Sequence, residues 1–239
     1  MIDLHCHLLP NIDDGSCSWE ESLDMVRMAH GNGIRGAVAT PHWIEGTNWQ
    51  PETRVVRDMV AEMNQRIEDA GIDFKVYPGM EVGITADLAG LIERDRILTL
   101  AEGDFLLLEV PFHSLPLGVA EIISELCSSG KWPVLAHPER NSELQQKPKR
   151  IMEFVKAGAL IQVTAGSLSG EFGQSARKCA VEFAKLGALD FVSTDAHSVR
   201  YRKPIVSDGL KALEKAVGAD DVNSVIEASY RIVNLSKQS

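Results

Sequence analysis

Short apolar runs alternate along this chain with longer amphipathic stretches, and that alternation narrows the fold more than any other feature. The runs are Ile2–His5, Gly36–Thr40, Phe74–Pro78, Phe105–Val110, Pro133–Ala136, Leu160–Thr164 and Phe191–Ser193. Between them the sequence predicts helices over Trp19–His30, Pro51–Ala70, Gly118–Ser128, Pro148–Ala157, Gly173–Leu186, Pro204–Val217 and Asp220–Asn234. Ser18, with Glu21 three residues on, forms a capping-box pattern at the first of these. Gly71, Gly158 and Gly187 read as helix C-caps. Strand signals that alternate with helical ones imply a parallel sheet. Seven strands are close to the eight of a closed α/β barrel, and 239 residues fit one such domain. In barrels of this kind chemistry sits just beyond the C-terminal ends of the strands. The residues at those ends are therefore the ones to read.

His5-Cys6-His7 follows the first strand. Alone, the pair is equally a pair of loop histidines or two ligands turned toward one metal. Asp13-Asp14-Gly15-Ser16 comes next and alone is a polar turn. His42 follows Pro41 at the second strand end, and Glu81 follows the third. Glu109 closes the run Phe105-Leu-Leu-Leu-Glu109, where an anion is costly to bury unless paired or metal-bound. His137 begins His137-Pro-Glu-Arg140, and Asp195-Ala-His197 ends the seventh strand. The sixth ends in Gln162-Val-Thr164, without a ligand type. Six of seven strand ends thus carry His, Asp or Glu, and five of the seven histidines stand there. That concentration on one rim points to a metal-dependent hydrolase. A set of imidazoles and carboxylates without thiolate suits borderline to hard divalent ions such as Mn, Fe, Zn or Mg. Cys6 lies between two candidate ligands, but alternation in an extended segment turns it to the opposite side.

Charge and cysteine placement exclude other classes. Lys and Arg number 24 against 34 Asp and Glu, a net charge of −10. This argues against long nucleic acids and against docking on an anionic membrane. No apolar run is long enough to span a bilayer, and the start has neither a basic n-region nor an apolar h-region. Cys6, Cys17, Cys127 and Cys179 form no C-x-x-C pair, which fits reduced thiols in the cytoplasm. No Cys has an Arg six positions later, so the loop of a cysteine-nucleophile phosphatase is absent.

With these residues in hand, the chain resembles the polymerase-and-histidinol-phosphatase superfamily. Within it, the chain is similar to the bacterial manganese-dependent protein-tyrosine phosphatases of capsule and exopolysaccharide operons. The strings that carry the likeness are DLHCHLLPNIDDGS, ATPHW, YPGMEV, LLLEVPF, LAHPERN, QVTAGSLSGEFG and STDAHS. The resemblance implies a distorted (βα)7 TIM-like barrel, a single domain over residues 1–239, with three divalent ions at its mouth. Manganese is the preferred ion, with Fe, Zn, Mg or Co as alternatives. Carried over, it assigns His5, His7, Glu81 and Asp195 to a first metal. Glu81 would bridge to a second, held also by Glu109 and His137, and Asp14, His42 and His197 would hold a third. Asp13 is the rival of Asp14. Arg140 and Arg202 match basic positions near the phosphate, with Arg200 and Lys203 as rivals of Arg202.

The activity so implied is hydrolysis of phosphotyrosine by a hydroxide held between two metals. The implied substrate is the tail of a bacterial tyrosine autokinase that governs polysaccharide export. Trp43, Trp49, Phe112 and Phe172 either line the mouth and meet the tyrosyl ring or pack as loop residues on its rim. Competing readings are histidinol-phosphate phosphatase, a nuclease or cyclic-phosphate hydrolase, and a metal-bound regulatory module without turnover. The oligomeric state stays open.

Overall fold

The computed structural model describes residues 1–235. Among these residues nine parallel strands form two sheets. The first, in the order β1-β2-β4, comprises β1 (Ile2–Cys6), β2 (Gly36–Ala39) and β4 (Lys75–Pro78). The second runs β3 (His42–Trp43), β5 (Glu81–Gly83), β6 (Phe105–Glu109), β7 (Trp132–Ala136), β8 (Leu160–Thr164) and β9 (Phe191–Ser193). Every pairing is parallel. The sheets meet where β9 ends beside β1. Cys6 and Ala196 form a parallel bridge, Asp195 N donates to His5 O at 2.9 Å, and His7 N donates to Ala196 O at 2.8 Å.

All seven expected strands are present, with ends displaced by a residue at most. The two additional ones, β3 and β5, were not legible in the sequence. They continue β2 and β4 after a break at Thr40-Pro41 and at Gly79-Met80, where the chain passes from the first sheet to the second. Pro41 has no N–H for a ladder, but its carbonyl accepts from Glu81 N at 3.1 Å and so joins the two breaks. Gly79 is required by packing, because a Cβ there would stand 2.7 Å from Val38 Cγ1.

The helices are α1 (Trp19–Gly31), α2 (Thr53–Asp69), α3 (Leu88–Glu93), α4 (Val119–Ser128) and α5 (Ser142–Gln146). They continue as α6 (Ile151–Ala157), α7 (Ala165–Ser169), α8 (Gly173–Lys185), α9 (Ser207–Val217) and α10 (Ala219–Leu235). The short α3, α5 and α7 were not expected; each is too brief to show a helical period. Ser18 caps α1 as expected, its hydroxyl accepting from Glu21 N at 3.2 Å. The Glu21 carboxylate does not close the box on Ser18; it accepts from Cys17 N at 3.0 Å, one residue earlier.

Two apolar clusters divide the strand side chains. Leu106, Leu108, Ile161 and Val163 join the helix faces of Met25, Val56, Ile123 and Phe183 in the larger. Leu4, Val38, Leu107 and Val134 form the smaller, which Ile232 and Val233 of α10 also enter. Full burial of each such side chain contributes about 1.5–3 kcal/mol. In β6, Glu109 stands two residues beyond Leu107 and so continues the face of the smaller cluster toward the strand end.

Candidate metal centre and active site

The nine acidic and imidazole side chains expected at the rim meet in one place. His5 Nε2 lies 3.1 Å from His7 Nε2, 3.2 Å from Glu81 Oε2 and 3.3 Å from Asp195 Oδ1. His7 Nε2 lies 3.3 Å from Glu81 Oε2 and 3.4 Å from Asp195 Oδ1. Donor atoms about 2.0–2.1 Å from one cation stand about 3–3.4 Å from each other, so these four atoms have the spacing of a coordination shell. On the other side of Glu81, His137 Nε2 approaches Oε1 at 2.8 Å and Glu109 Oε1 at 3.7 Å. Asp14 Oδ1 stands 3.5 Å from His42 Nε2 and 3.4 Å from His197 Nε2. His42 also turns Nδ1 to 3.0 Å from Glu81 Oε2, so Glu81 touches all three groups.

Orphaned atoms test whether cations fit. Glu81 Oε2, Asp195 Oδ1 and His42 Nδ1 are buried and have no hydrogen-bond partner among the described residues. Such atoms are costly to bury unless something satisfies them, and all three face the places where the donors converge. Burial opposes ionisation of Glu81, but His5, His42 and His137 outweigh it and hold the carboxyl well below the usual range. Burial likewise opposes the charge of Asp195, and His5 leads the groups that keep it ionised. Both are anions ready for cations.

Asp13 and Asp14 turn to different partners. Asp13 Oδ2 accepts from His7 Nδ1 at 2.7 Å and from His42 N at 3.1 Å, and Oδ1 accepts from Gly15 N at 2.9 Å. It thereby fixes the ring of His7 with Nε2 turned inward, the role of a carboxylate behind a ligand histidine. Asp14 is the one that reaches His42 and His197. The turn needs its glycine, since a Cβ on Gly15 would lie 2.2 Å from His7 O. Gln162 does for His5 what Asp13 does for His7: its Oε1 lies 3.0 Å from His5 Nδ1. The sequence carried a signal for Gln162, a polar residue inside Leu-Ile-Gln-Val-Thr, of the kind that singled out Glu109.

Arg140 Nη1 donates to Asp195 Oδ2 at 2.8 Å, and Arg202 Nη2 donates to the same oxygen. Arg202 Nη1 also lies 2.8 Å from His197 Nε2. Arg200 and Lys203, the rivals of Arg202, are exposed. The Arg140 guanidinium meets two aromatic rings, with Cζ 4.6 Å from the Phe112 ring centroid and 4.5 Å from that of Phe172. His137, Asp195 and Arg202 have φ of 35°, 52° and 47°, a left-handed backbone that is sparsely populated for such residues and clusters at functional sites.

The aromatics separate into two roles. Trp49 stacks on His42 at 4.9 Å and Phe112 on His137 at 5.4 Å. Trp43 does not line the mouth: it is 2% exposed and belongs to the larger core cluster. In β3 its side chain alternates with His42 and so points away from the site. Cys6 likewise lies in that core, on the side away from its neighbours' imidazoles.

The chain is similar to known proteins over most of its length. The family described as "Capsular polysaccharide synthesis, CpsB/CapC" matches residues 1–233. The chain is 34% identical over 220 residues to the tyrosine-protein phosphatase YwqE of Bacillus subtilis, covering 92% of this chain and 86% of the relative. It is 27% identical over 224 residues to the tyrosine-protein phosphatase CpsB of Streptococcus pneumoniae, covering 92% of each. A crystal structure from work on YwqE and CpsB, described as unique metal-dependent tyrosine phosphatases, superposes with a TM-score of 0.94 at 33% identity. That match covers 98% of this chain and 95% of the other.

Proposed function

Because the chain belongs to the CpsB/CapC family of capsular polysaccharide synthesis, we propose that it is a metal-dependent protein-tyrosine phosphatase. The observation that carries the reading is the division of Asp195: Oδ1 faces His5 and His7, while Oδ2 holds Arg140 and Arg202. One carboxylate thus joins a cation-binding group to two phosphate-binding side chains. The two sheets, joined at β1 and β9, are read as one distorted (βα)7 barrel and a single domain. The proposal has three divalent ions, manganese preferred. His5, His7, Glu81 and Asp195 would hold the first, Glu81, Glu109 and His137 the second, and Asp14, His42 and His197 the third.

When bound, these ions supply Lewis acidity and a water acidified to near neutral pH. The rest of the work falls to the chain. Arg140 and Arg202 present forked donors that bind the phosphoryl oxygens and neutralise their charge. Phe112 and Phe172 hold Arg140 in place through cation–π contact with its guanidinium. Asp13 and Gln162 keep the Nε2 atoms of His7 and His5 turned inward. A tyrosyl leaving group has a pKa of about 10 and leaves with little help from an acid. The proposed substrate is a phosphotyrosine in the tail of a bacterial tyrosine kinase, met in the cytoplasm. Solvent, rather than a side chain, is the nucleophile in this account. A single turnover of phosphotyrosine peptide in ¹⁸O-water is expected to place one solvent oxygen in the released phosphate. Trapping of a phosphorylated protein intermediate would contradict it.

A further inference from the structure

The phosphatase reading leaves open how a site of this kind tells an aryl phosphate from an alkyl one. A cavity of about 480 Å³ opens onto the site, within the range of roughly 300–1,000 Å³ usual for small-molecule sites. Its lining joins charged groups and imidazoles of the site, among them Glu109, His137, Arg140 and Arg202, to the apolar side chains of Ile44, Trp49, Ile84 and Phe112, with His113 beside Phe112. Resting on that reading, we propose that Trp49 and Phe112 are the walls of a slot that selects the phenyl ring of phosphotyrosine, kept open by the bare backbone of Gly83.

Three observations carry the assignment. Each wall ring lies on an imidazole of the site, Trp49 on His42 at an interplanar angle of 13° and Phe112 on His137 at 24°. Phe112 also meets the Arg140 guanidinium, so a ring bound between the walls touches Trp49 and whatever surface of Phe112 His137 and Arg140 leave uncovered, beside the groups that receive its phosphate. Hydrogen bonds hold the backbone that carries both walls. The turn after β3 is closed by Ile44 N donating to Trp49 O at 2.7 Å and Thr47 N donating to Ile44 O at 3.2 Å. On the other side, Ser142 N donates to Phe112 O at 2.7 Å and Asn141 Nδ2 donates to Pro111 O at 2.7 Å. Gly83 also borders the cavity, and a Cβ there would meet Ile44 only at ordinary contact, 3.6 Å. A larger side chain at 83 would therefore extend into the slot rather than break the strand.

The selection follows from reach. A tyrosyl side chain carries its phosphate a full ring away from the backbone, so the peptide stays outside while the ring fills the slot. A phosphoseryl group would have to bring its backbone down between the two walls, stripping water from peptide groups that find no partner on apolar surface.

Binding of non-hydrolysable mimics to the manganese-loaded protein, read by calorimetry, isolates the slot from turnover. The wild type is expected to bind phenylphosphonate about tenfold more tightly than methylphosphonate, the scale of aromatic contact. Trp49→Ala and Phe112→Ala are expected to reduce that preference to about threefold or less, and Trp49→Phe to retain most of it. Gly83→Leu adds bulk and removes no contact. It is expected to weaken phenylphosphonate about tenfold while methylphosphonate stays within about twofold. Metal content is measured in every variant, and Gly83→Leu keeps the test decisive should the Trp49 variant shed ions. A wild type without aryl preference, or variants that keep it unchanged, would overturn the slot. A wild type that binds the phosphonates selectively but releases no phosphate from phosphotyrosine would instead count against the phosphatase reading.

Discussion

Asp195 offers one oxygen to each half of the site, and Asp13 shows how residues behind the donors hold that arrangement. Asp13 accepts from His7 Nδ1 at 2.7 Å while also receiving His42 N and Gly15 N. Asp13→Ala removes the acceptor that fixes His7, and a loss of about 10–100-fold in metal affinity is expected. Competition with a chelator measures it; unchanged affinity would show that His7 needs no such partner. The gathering of His, Asp and Glu at strand ends singled out eight of the nine converging side chains. Asp14 came only with the family resemblance, with Asp13 as its rival, since two neighbours in one turn differ only in which way each side chain points. Gln162 was passed over because an amide is a poor ligand, although its place behind His5 depends on hydrogen bonding and not on metal affinity.

At the scale of elements, strand ends were legible and strand breaks were not. His42 and Glu81 stand on their own two- and three-residue strands, β3 and β5, paired with each other across the sheet. Segments so short carry no alternation to detect, and Pro41 and Gly79 read as ends. Trp43 was open to a place at the mouth because its position in a presumed loop hid that its side chain alternates with His42. A surface cluster near these breaks gives a test of element docking. Arg57 of α2 donates to Asp95 at 2.7 and 2.9 Å and to Glu102 at 2.7 Å, tying α2 to the segment that follows α3. Arg57→Ala is expected to lower stability by only about 0.5–1 kcal/mol, because both carboxylates are exposed and Arg57 is only half-buried. Its hydrogen bond to Arg57, the largest influence, holds Asp95 below its ordinary pKa. A depressed carboxylate contributes stability above its unfolded pKa of about 3.9 and loses it as pH falls through the folded value. Urea titrations of both proteins at pH 7 and near pH 3 should therefore show a gap that narrows in acid. A gap that widens would contradict the pairing.

For the molecule as a whole, a chain with net charge −10 gathers carboxylates and imidazoles, most of them buried, into groups that could hold cations. Binding to the folded state alone must then raise the melting temperature. Mn²⁺ at about 100 times its Kd contributes about 2.7 kcal/mol per site, some 5–10 °C for a chain of this size. A melting temperature indifferent to Mn²⁺ and to EDTA would be incompatible with the site as described. The central claim is that this convergence performs metal-dependent hydrolysis of phosphotyrosine. Its most direct test is phosphate release from a phosphotyrosine peptide, beside a phosphoserine peptide and histidinol phosphate, with Mn²⁺ or with EDTA. The account predicts release from phosphotyrosine that requires the metal, is selective over the other two esters, and is lost in His5→Ala and Arg140→Ala. Release that persists in EDTA or survives both substitutions, or turnover of histidinol phosphate alone, would contradict it.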